Sequence, residues 1–221
     1  MDCLYVTELR TPCVALVSAK HMARKNSKTF GMLGCGLQGR AHIKFVCNTL
    51  TNLEKIYIYD VYAPAMDALI SDLQPSTPVT IVKARSYEEL VKNSDVICSA
   101  TKITSVPHPQ IKDEWISKGQ TIIMSDCHTL YEDETVKRAD KYLLDSREQH
   151  ELLLHYGYYP QGLPPVYAEI GEVVAGQKKG RERDDELIVC NNVGIMATDM
   201  MLIPVMFDRA LENKIGRILP L

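Results

Sequence analysis

The sequence predicts an α/β fold in which helices cover both faces of a doubly wound parallel sheet. Three observations support this prediction. A glycine-rich turn joins a short apolar run to a helix-forming segment, an acidic residue ends the next apolar run, and strand-like and helix-like segments then alternate along the chain. Short apolar runs of this kind are typical of parallel strands that are buried on both faces.

The glycine-rich turn has the pattern Gly34-Cys35-Gly36-Leu37-Gln38-Gly39. In a strand–turn–helix unit, Gly34 permits the tight turn, Gly36 lets the backbone approach a pyrophosphate, and Gly39 lets the helix pack closely on the strand. The free N–H groups at the start of the helix, including those of Leu37 and Gln38, can bind the phosphates. The pattern therefore predicts a Rossmann-type dinucleotide site. The alternative is a glycine-rich turn in an unrelated α/β domain.

An acidic residue, Asp60, ends the next expected strand, 21 positions after the last glycine of the pattern. A carboxylate there can accept hydrogen bonds from both ribose hydroxyls of an adenosine, and it repels a 2′-phosphate. The residues that follow include no arginine, so the sequence favours NAD over NADP. Lys83 and Arg85 could still reach that pocket, and Asp60 could instead be a solvated residue at a strand end.

The other elements follow in the order that a doubly wound sheet requires. We expect strands at 28–33, 55–59, 78–82, 95–100, 120–125 and 141–144, separated by helices at 37–50, 63–73, 86–93, 110–118 and 133–138. A helix at 147–155 and a loop at 157–165 lead to a helix near 167–177, a strand at 186–190 and a long apolar helix at 196–214, with a kink expected at Pro204. Near the start of the chain, Thr11-Pro12 is expected to begin a helix that runs to about Lys25.

Composition narrows the functional class. The 221 residues include 25 basic and 28 acidic ones and form no basic stripe, which argues against a nucleic-acid partner. No apolar run is long enough to span a bilayer, and the first residues do not have the pattern of a signal peptide. The seven cysteines form no CxxC pair, which favours reduced thiols in a cytoplasmic protein, and the six histidines show no metal-ligand spacing.

Short motifs occur in a fixed order over nearly the whole chain: Leu9-Arg10-Thr11, the run from Gly31 to His42, Ser125-Asp126-Cys127, Gly171-Glu172 with Gly176 and Arg181, Val193-Gly194 with Asp199, and Gly216. Together they resemble the ornithine cyclodeaminase/mu-crystallin family, including its tyramine oxidase accessory-subunit branch. The resemblance implies a homodimer whose subunits contain an NAD-binding Rossmann domain, here 28–194, and a substrate/dimerisation domain. Residues 1–27 would be a linking helix from that second domain, and 195–221 a helix that returns to it.

The resemblance also implies roles for individual residues. Arg10, expected just before a helix, would contact the substrate carboxylate, although it could be a surface arginine paired with Glu8. Asp126, directly after an expected strand, would be the general acid/base near the substrate amine, although it could simply cap a loop. Thr101 would lie near the nicotinamide ribose, and Val193 would line the nicotinamide side.

Two departures from the family pattern matter. The family follows the aspartate and cysteine with Pro-Gly-Lys, whereas this chain has His128-Thr129-Leu130, which places ornithine cyclisation in doubt. We expect His128 to be a solvated loop histidine rather than a replacement titrating group. The chain also lacks most of the family's N-terminal portion, which in relatives carries an arginine and a lysine that hold the substrate. We therefore expect a fragment with little or no turnover of its own.

These observations favour an NAD(H)-dependent enzyme that removes hydride from the α-carbon of an amino acid to give an imine. The family offers three outcomes for that imine: cyclodeamination (a lyase reaction), amino-acid dehydrogenation, and, in reverse, ketimine reduction. The partner would be a small amino-acid or imine substrate. The alternative is a non-catalytic nucleotide-binding accessory subunit that keeps the fold without the chemistry.

Overall fold

The computed structural model describes residues 3–217, apart from the side chain of Cys3. Its strands are β1 Thr29–Leu33, β2 Lys55–Tyr59, β3 Thr80–Lys83, β4 Val96–Ser99, β5 Thr121–Met124, β6 Lys141–Leu144, β7 Ala168–Glu169 and β8 Ile188–Asn191. Its α-helices are α1 Cys3–Met22, α2 Leu37–Thr49, α3 Ala63–Leu73, α4 Tyr87–Lys92, α5 Asp133–Lys137, α6 Arg147–His155, α7 Ile170–Val174 and α8 Met196–Glu212. Within the described range, no helix is both long enough and apolar enough to cross a membrane.

The eight strands form one parallel sheet in the order β3-β2-β1-β4-β5-β8-β6-β7. The chain winds from β1 through β2 to β3, then returns to the other side of β1 and continues through β4 and β5. Open α/β sheets bind ligands at the carboxyl ends of the strands where the winding direction reverses. In this protein that point lies between β1 and β4.

Two buried clusters cover the two faces of the sheet, because successive side chains of a strand point to opposite faces. On one face, Phe30 and Met32 of β1 pack with α1, α2 and α3. On the other face, Leu33 packs with α4 and with the buried Tyr131. The predicted α/β fold with a doubly wound parallel sheet is therefore confirmed.

Helix α1 begins earlier than the sequence predicts. We expected Thr11-Pro12 to start it, but the helix runs from Cys3 and Pro12 lies in its interior. A proline inside a helix removes one hydrogen bond to the preceding turn. Here the buried residues Val6, Ala15, Ala19 and Met22 anchor α1 on both sides of the proline, and their packing outweighs the local cost.

The expected helix at 110–118 is also wrong, since only a 3₁₀ turn, Asp113–Trp115, forms there. The N–H groups of Gln110 and Ile111 donate to the carbonyl of Leu130, and Ile111 forms a parallel bridge with Tyr131. These contacts with a distant segment hold the chain extended. The expected helix at 167–177 is likewise shorter, because β7 occupies its start and α7 ends at Val174.

Helix α8 continues through Pro204 and has no buried residue, although it contacts α1. Its exposed apolar side chains are those of Met196, Met200, Met201, Val205, Phe207 and Leu211. Helix α1, in contrast, packs on the sheet as well as on α8.

Candidate functional site

Residues named from the sequence lie along the carboxyl edge of the sheet. In spatial order, strands β2, β1, β4, β5 and β8 are followed by Asp60, Gly34, Thr101, Asp126 and Val193. Neighbouring strands of a sheet lie about 4.8 Å apart. The fold therefore brings residues that are far apart in sequence onto one edge, on either side of the switch point.

Each glycine of the turn between β1 and α2 has its own structural reason. Gly34 has φ +93°, and a Cβ there would lie 2.6 Å from the carbonyl oxygen of Ala100. A Cβ on Gly39 would lie 1.9 Å from the oxygen of Gly34, so the helix can approach the turn only without a side chain. A Cβ on Gly36 would meet nothing within 4 Å. Gly36 therefore leaves open space where the sequence predicts a pyrophosphate.

The N-terminus of α2 points into this turn. Gly36 is its N-cap and supplies no side-chain cap. The first N–H groups of a helix have no partner within the helix, so those of Leu37, Gln38 and Gly39 can bind a ligand anion. The Gln38 side chain instead donates to the carbonyl of Thr7 in α1, at 3.0 Å. Leu37 and Gln38 thus offer their backbone rather than their side chains to the site.

Asp60 joins the glycine turn to the end of β2. Its Oδ2 accepts the N–H of Cys35 at 2.7 Å, and its Oδ1 accepts the N–H of Tyr62 at 2.9 Å. Each carboxylate oxygen has a second lone pair that can accept a ribose hydroxyl. Asp60 lines a cavity of about 510 Å³ together with Gly34 and Gly36.

The same cavity reaches across the switch point to β4. Its remaining lining residues are Tyr59, Val61, Tyr87, Ala100, Thr101, Lys102, Thr104, His108, Gln110, Thr129 and Leu130. An open glycine turn, a helix N-terminus and a carboxylate on one cavity wall fit the pyrophosphate and adenosine ribose of a dinucleotide.

The two basic residues that could have favoured a 2′-phosphate are engaged elsewhere. Lys83 Nζ lies 2.6 Å from Asp67 Oδ1, and Arg85 Nε lies 2.9 Å from Glu89 Oε2. Neither Lys83 nor Arg85 lines the cavity. Because both basic side chains are paired away from the cavity, they do not offset the preference for NAD over NADP that Asp60 indicates.

Asp126 is fully buried behind Thr101. Its Oδ1 accepts the hydroxyl of Ser99 at 2.7 Å, and its Oδ2 accepts the hydroxyl and the N–H of Thr101 at 2.7 and 3.0 Å. Burial raises the pKa of the Asp126 carboxyl, although these hydrogen bonds oppose the shift. Thr101 lines the cavity and Asp126 does not, so the carboxylate meets the cavity through the Thr101 hydroxyl.

Arg10 lies inside α1 and not before a helix N-terminus, which corrects the expected setting of this residue. Its Nε is 3.4 Å from Asp199 Oδ1, and its guanidinium packs against Gly194, where a Cβ would lie 1.8 Å from Nη1. The alternative pairing with Glu8 is not found, because Glu8 is paired with Lys44. Arg10 is thus held beside the loop that contains Val193.

A second cavity of about 510 Å³ lies between α1, α7 and the start of α8. Arg10 and Asp145 line it, and most of its other walls are apolar. Asp145 Oδ2 accepts the N–H of Gly194 at 2.5 Å, and burial raises the pKa of its carboxyl. Our sequence reasoning missed Asp145. Asp145 is the first residue after β6, and Asp126 is the second residue after β5. The argument from an acidic residue at the end of a strand therefore applies to both.

The interpretation of His128 as a solvated loop histidine is wrong. Its side chain is buried, and its Nδ1 accepts the amide N–H of Gln161 at 2.8 Å. Burial lowers the pKa of His128, which opposes a protonated form. The loop at 157–165 covers this residue through Gln161, a contact between segments that are distant in sequence.

These positions belong to a segment, residues 1–214, that matches the family model described as the ornithine cyclodeaminase/mu-crystallin family. The chain belongs to the ornithine cyclodeaminase/mu-crystallin family. The resemblance seen in its motifs is therefore confirmed over almost the whole length.

Relatives in this family include several dehydrogenases and reductases. Alanine dehydrogenase of Archaeoglobus fulgidus is 30% identical over 223 positions, which cover 98% of this chain and 67% of the relative. N-((2S)-2-amino-2-carboxyethyl)-L-glutamate dehydrogenase of Staphylococcus aureus is 28% identical over 233 positions, covering 100% of this chain and 66% of the relative. The chain thus spans about two thirds of the length of these curated relatives.

Solved structures show the same relationship. The Δ(1)-pyrroline-2-carboxylate reductase of Thermococcus litoralis, in complex with NADH and L-proline, superposes with a TM-score of 0.83 at 27% identity. That match covers 97% of this chain and 68% of the reductase. An archaeal alanine dehydrogenase dimer with bound NAD superposes with a TM-score of 0.85 at 28% identity, covering 100% of this chain and 69% of that one.

Proposed function

We propose that this protein is an NAD(H)-dependent enzyme that interconverts an amino acid and its imine. The observation that carries the proposal is the shared cavity at the switch point, which brings Asp60, the open glycine turn and Thr101 together. Relatives named as alanine dehydrogenase and Δ(1)-pyrroline-2-carboxylate reductase support this reaction class.

In this proposal the glycine turn and the first N–H groups of α2, those of Leu37 and Gln38, hold the pyrophosphate. Asp60 holds the adenosine ribose, and Thr101 and Val193 contact the nicotinamide half. NAD, when bound, supplies the hydride acceptor. The structural neighbours that carry NADH or NAD support the choice of cofactor.

The chain's own residues would handle the carboxylate and the proton. The Arg10 guanidinium, fixed by Gly194 and Asp199, would bind the substrate carboxylate. Asp126 would hold the proton that leaves the substrate amine, and its burial favours the protonated form. Because the Thr101 hydroxyl lies between Asp126 and the cavity, it would pass that proton to Asp126 Oδ2.

One observation favours a second candidate, a nucleotide-binding accessory subunit without catalysis. The Asp126 carboxylate accepts hydrogen bonds from Ser99 and Thr101 and does not line the cavity. The residues after Cys127 are His128-Thr129-Leu130 and include no lysine. Such a subunit would bind NADH through the same cavity and would not oxidise or reduce an amino acid.

The domain organisation and assembly remain proposals of the same kind. We assign 28–194 to the NAD-binding domain, and 1–27 and 195–221 to segments that connect it to a substrate/dimerisation domain; residues 1–2 and 218–221 lie outside the described range. The exposed apolar side chains of α8 support a homodimer, as does the neighbour described as a dimer. We also propose a cytoplasmic location, which the scattered cysteines support.

The proposal is tested by titrating the NADH-loaded chain with pyrrole-2-carboxylate, a flat analogue of a cyclic imino acid. We expect the NADH fluorescence to report binding in the native protein and in Arg85→Gln, which changes an exposed arginine that lines neither of the two cavities. Arg10→Gln should weaken binding of the analogue and leave NADH affinity unchanged. If Arg10→Gln binds the analogue as tightly as the native protein does, the proposed substrate role of Arg10 is contradicted. If the native protein does not bind NADH, the proposed cofactor is contradicted.

A further inference from the structure

A tyrosine with no role in the proposed function lies on the wall of the nucleotide cavity. Tyr87 is the first residue of α4 and lines the same cavity as Asp60 and Thr101. Its half-buried ring packs against Tyr59, with ring centroids 4.6 Å apart and planes inclined by 60°. This contact restricts the position of the Tyr87 ring and therefore that of its hydroxyl.

The Tyr87 hydroxyl forms no hydrogen bond with any residue in the range 3–217. The threonine hydroxyls around the cavity are already engaged. Thr101 donates to the Asp126 side chain, Thr129 to the Asp126 carbonyl, and Thr104 to the carbonyl of Val106. Among the described lining residues, the hydroxyls that form no hydrogen bond are those of Tyr87 and of its ring partner Tyr59.

The electrostatic surroundings of Tyr87 keep this hydroxyl protonated. Burial raises the pKa of the phenol, and the neighbouring Tyr59 and the charges of Asp60 and Asp126 raise it further. The phenol is thus a neutral donor at neutral pH. The ring contact with Tyr59, the last residue of β2 and the neighbour of Asp60, places Tyr87 on the side of the cavity where the adenosine ribose is proposed to bind.

We propose that Tyr87 binds the adenosine half of the dinucleotide, with its hydroxyl donating a hydrogen bond to the adenosine. The inference rests on the proposed function, in which Asp60 holds the ribose diol. The adenine is bonded to that same ribose, so it must occupy the cavity that Asp60 lines. Tyr87 and Tyr59 give that cavity an aromatic wall suited to a planar base, and Tyr87 adds a polar group to it.

The variant Tyr87→Phe tests this role, because it keeps the ring and the contact with Tyr59 and removes only the hydroxyl. The native chain, Tyr87→Phe and the control Tyr156→Phe are titrated with NADH and with ADP, which carries the adenosine and the two phosphates but neither the second ribose nor the nicotinamide. Tyr156 is an exposed residue that follows α6. We expect Tyr87→Phe to lower the affinity for both ligands by the same factor, about five-fold, and Tyr156→Phe to have the affinities of the native chain.

Each other result overturns a defined part of the account. Equal affinity for both NADH and ADP in Tyr87→Phe and the native chain would refute the role of Tyr87 while leaving the nucleotide site intact. Weaker binding of NADH with unchanged binding of ADP would also refute it, since the hydroxyl would then contact the nicotinamide half of the cofactor. A native chain that binds neither ligand would refute both this inference and the proposed cofactor.

Discussion

At the scale of single residues, the contact between Arg10 and Gly194 links α1 to the loop after β8. Gly194 has φ +92°, and its missing side chain leaves the space that the Arg10 guanidinium occupies. Gly176 also has a positive φ, +72°, but a Cβ there would meet nothing within 4 Å. A comparison of alanine substitutions at the two glycines therefore distinguishes the effect of backbone strain from the effect of losing the Arg10 contact.

We predict that Gly194→Ala destabilises the protein more than Gly176→Ala does. Both variants place a side chain at positive φ, but only the first displaces a largely buried guanidinium from Gly194 and Asp199. The difference in the free energy of unfolding should be about 1–3 kcal/mol, and urea denaturation of both variants measures it. Equal destabilisation by the two substitutions would show that Arg10 is not held in this way.

The sequence was sufficient for residues whose role depends on local spacing. The three glycines and Asp60 follow from one strand–turn–helix–strand pattern. The structure places Gly34, Gly36 and Asp60 around one cavity and Gly39 against the turn. The surroundings of Arg10 could not be predicted, because Gly194 and Asp199 meet it only through the packing of α8 on α1. The burial of His128 depends in the same way on a distant loop.

At the scale of elements, α2 carries a titratable group inside the core as well as a phosphate-binding N-terminus. His42 is fully buried, and its Nδ1–H donates to the carbonyl of Gln38 at 2.7 Å. Burial lowers the pKa of His42 from 6.5 to about 4. The folded protein therefore favours the neutral ring, and the unfolded chain takes up the proton more readily.

We predict that α2 gives the protein an acid-sensitive step. Since the folded pKa is lowered, the contribution of His42 to stability is complete above pH 6.5 and is lost as the pH falls towards 4. The loss should be about 3 kcal/mol. His42→Asn should be less stable at neutral pH and should lose less stability between the two pH values, and the loss that remains is expected to include the contribution of His128, whose pKa burial also lowers.

Urea denaturation across this pH range measures the step. The control is His155→Asn, which changes an exposed histidine at the end of α6 and should keep the native pH profile. An unchanged slope in His42→Asn would mean that another group is responsible. The buried Asp126 and Asp145 have raised pKa values, so they change stability in the opposite direction with pH.

Element boundaries were predictable where local signals dominate. The bounds of β2, α3, β6 and α6 match those expected from the sequence. The expected helix at 110–118 failed because Gln110 and Ile111 bond to Leu130, which lies on a different segment. The predicted start of α1 at Thr11-Pro12 is wrong because burial of Val6 stabilises helical turns that precede the proline.

At the scale of the whole molecule, α8 presents an apolar surface without a partner among the described residues. Met200 is 57% exposed and Phe207 is 54% exposed, and their spacing of seven residues puts them on one face of the helix. Large apolar surfaces of this kind mark interaction sites or cause association. One side of α8 contacts α1, and its exposed apolar side chains are available to contact another molecule.

We predict that the chain self-associates through α8. The double variant Met200→Lys/Phe207→Lys should shift it towards the monomer in size-exclusion chromatography with light scattering. The matched control is Leu152→Lys/Leu154→Lys, which changes two exposed leucines of α6 and should leave association unchanged. A native chain that is monomeric at high concentration would contradict this prediction.

The most direct test of the central claim, a NAD site built on Asp60, is a fluorescence titration with NADH and with NADPH. It compares the native chain with Asp60→Asn and with Glu54→Gln, a carboxylate paired with Lys28 before the start of β2. We expect the native chain to bind NADH more tightly than NADPH. Asp60→Asn should lower NADH affinity about ten-fold or more and remove most of the preference for NADH over NADPH. Glu54→Gln should change neither the NADH affinity nor the preference. Equal NADH affinity in all three proteins, or a native preference for NADPH, would contradict the account.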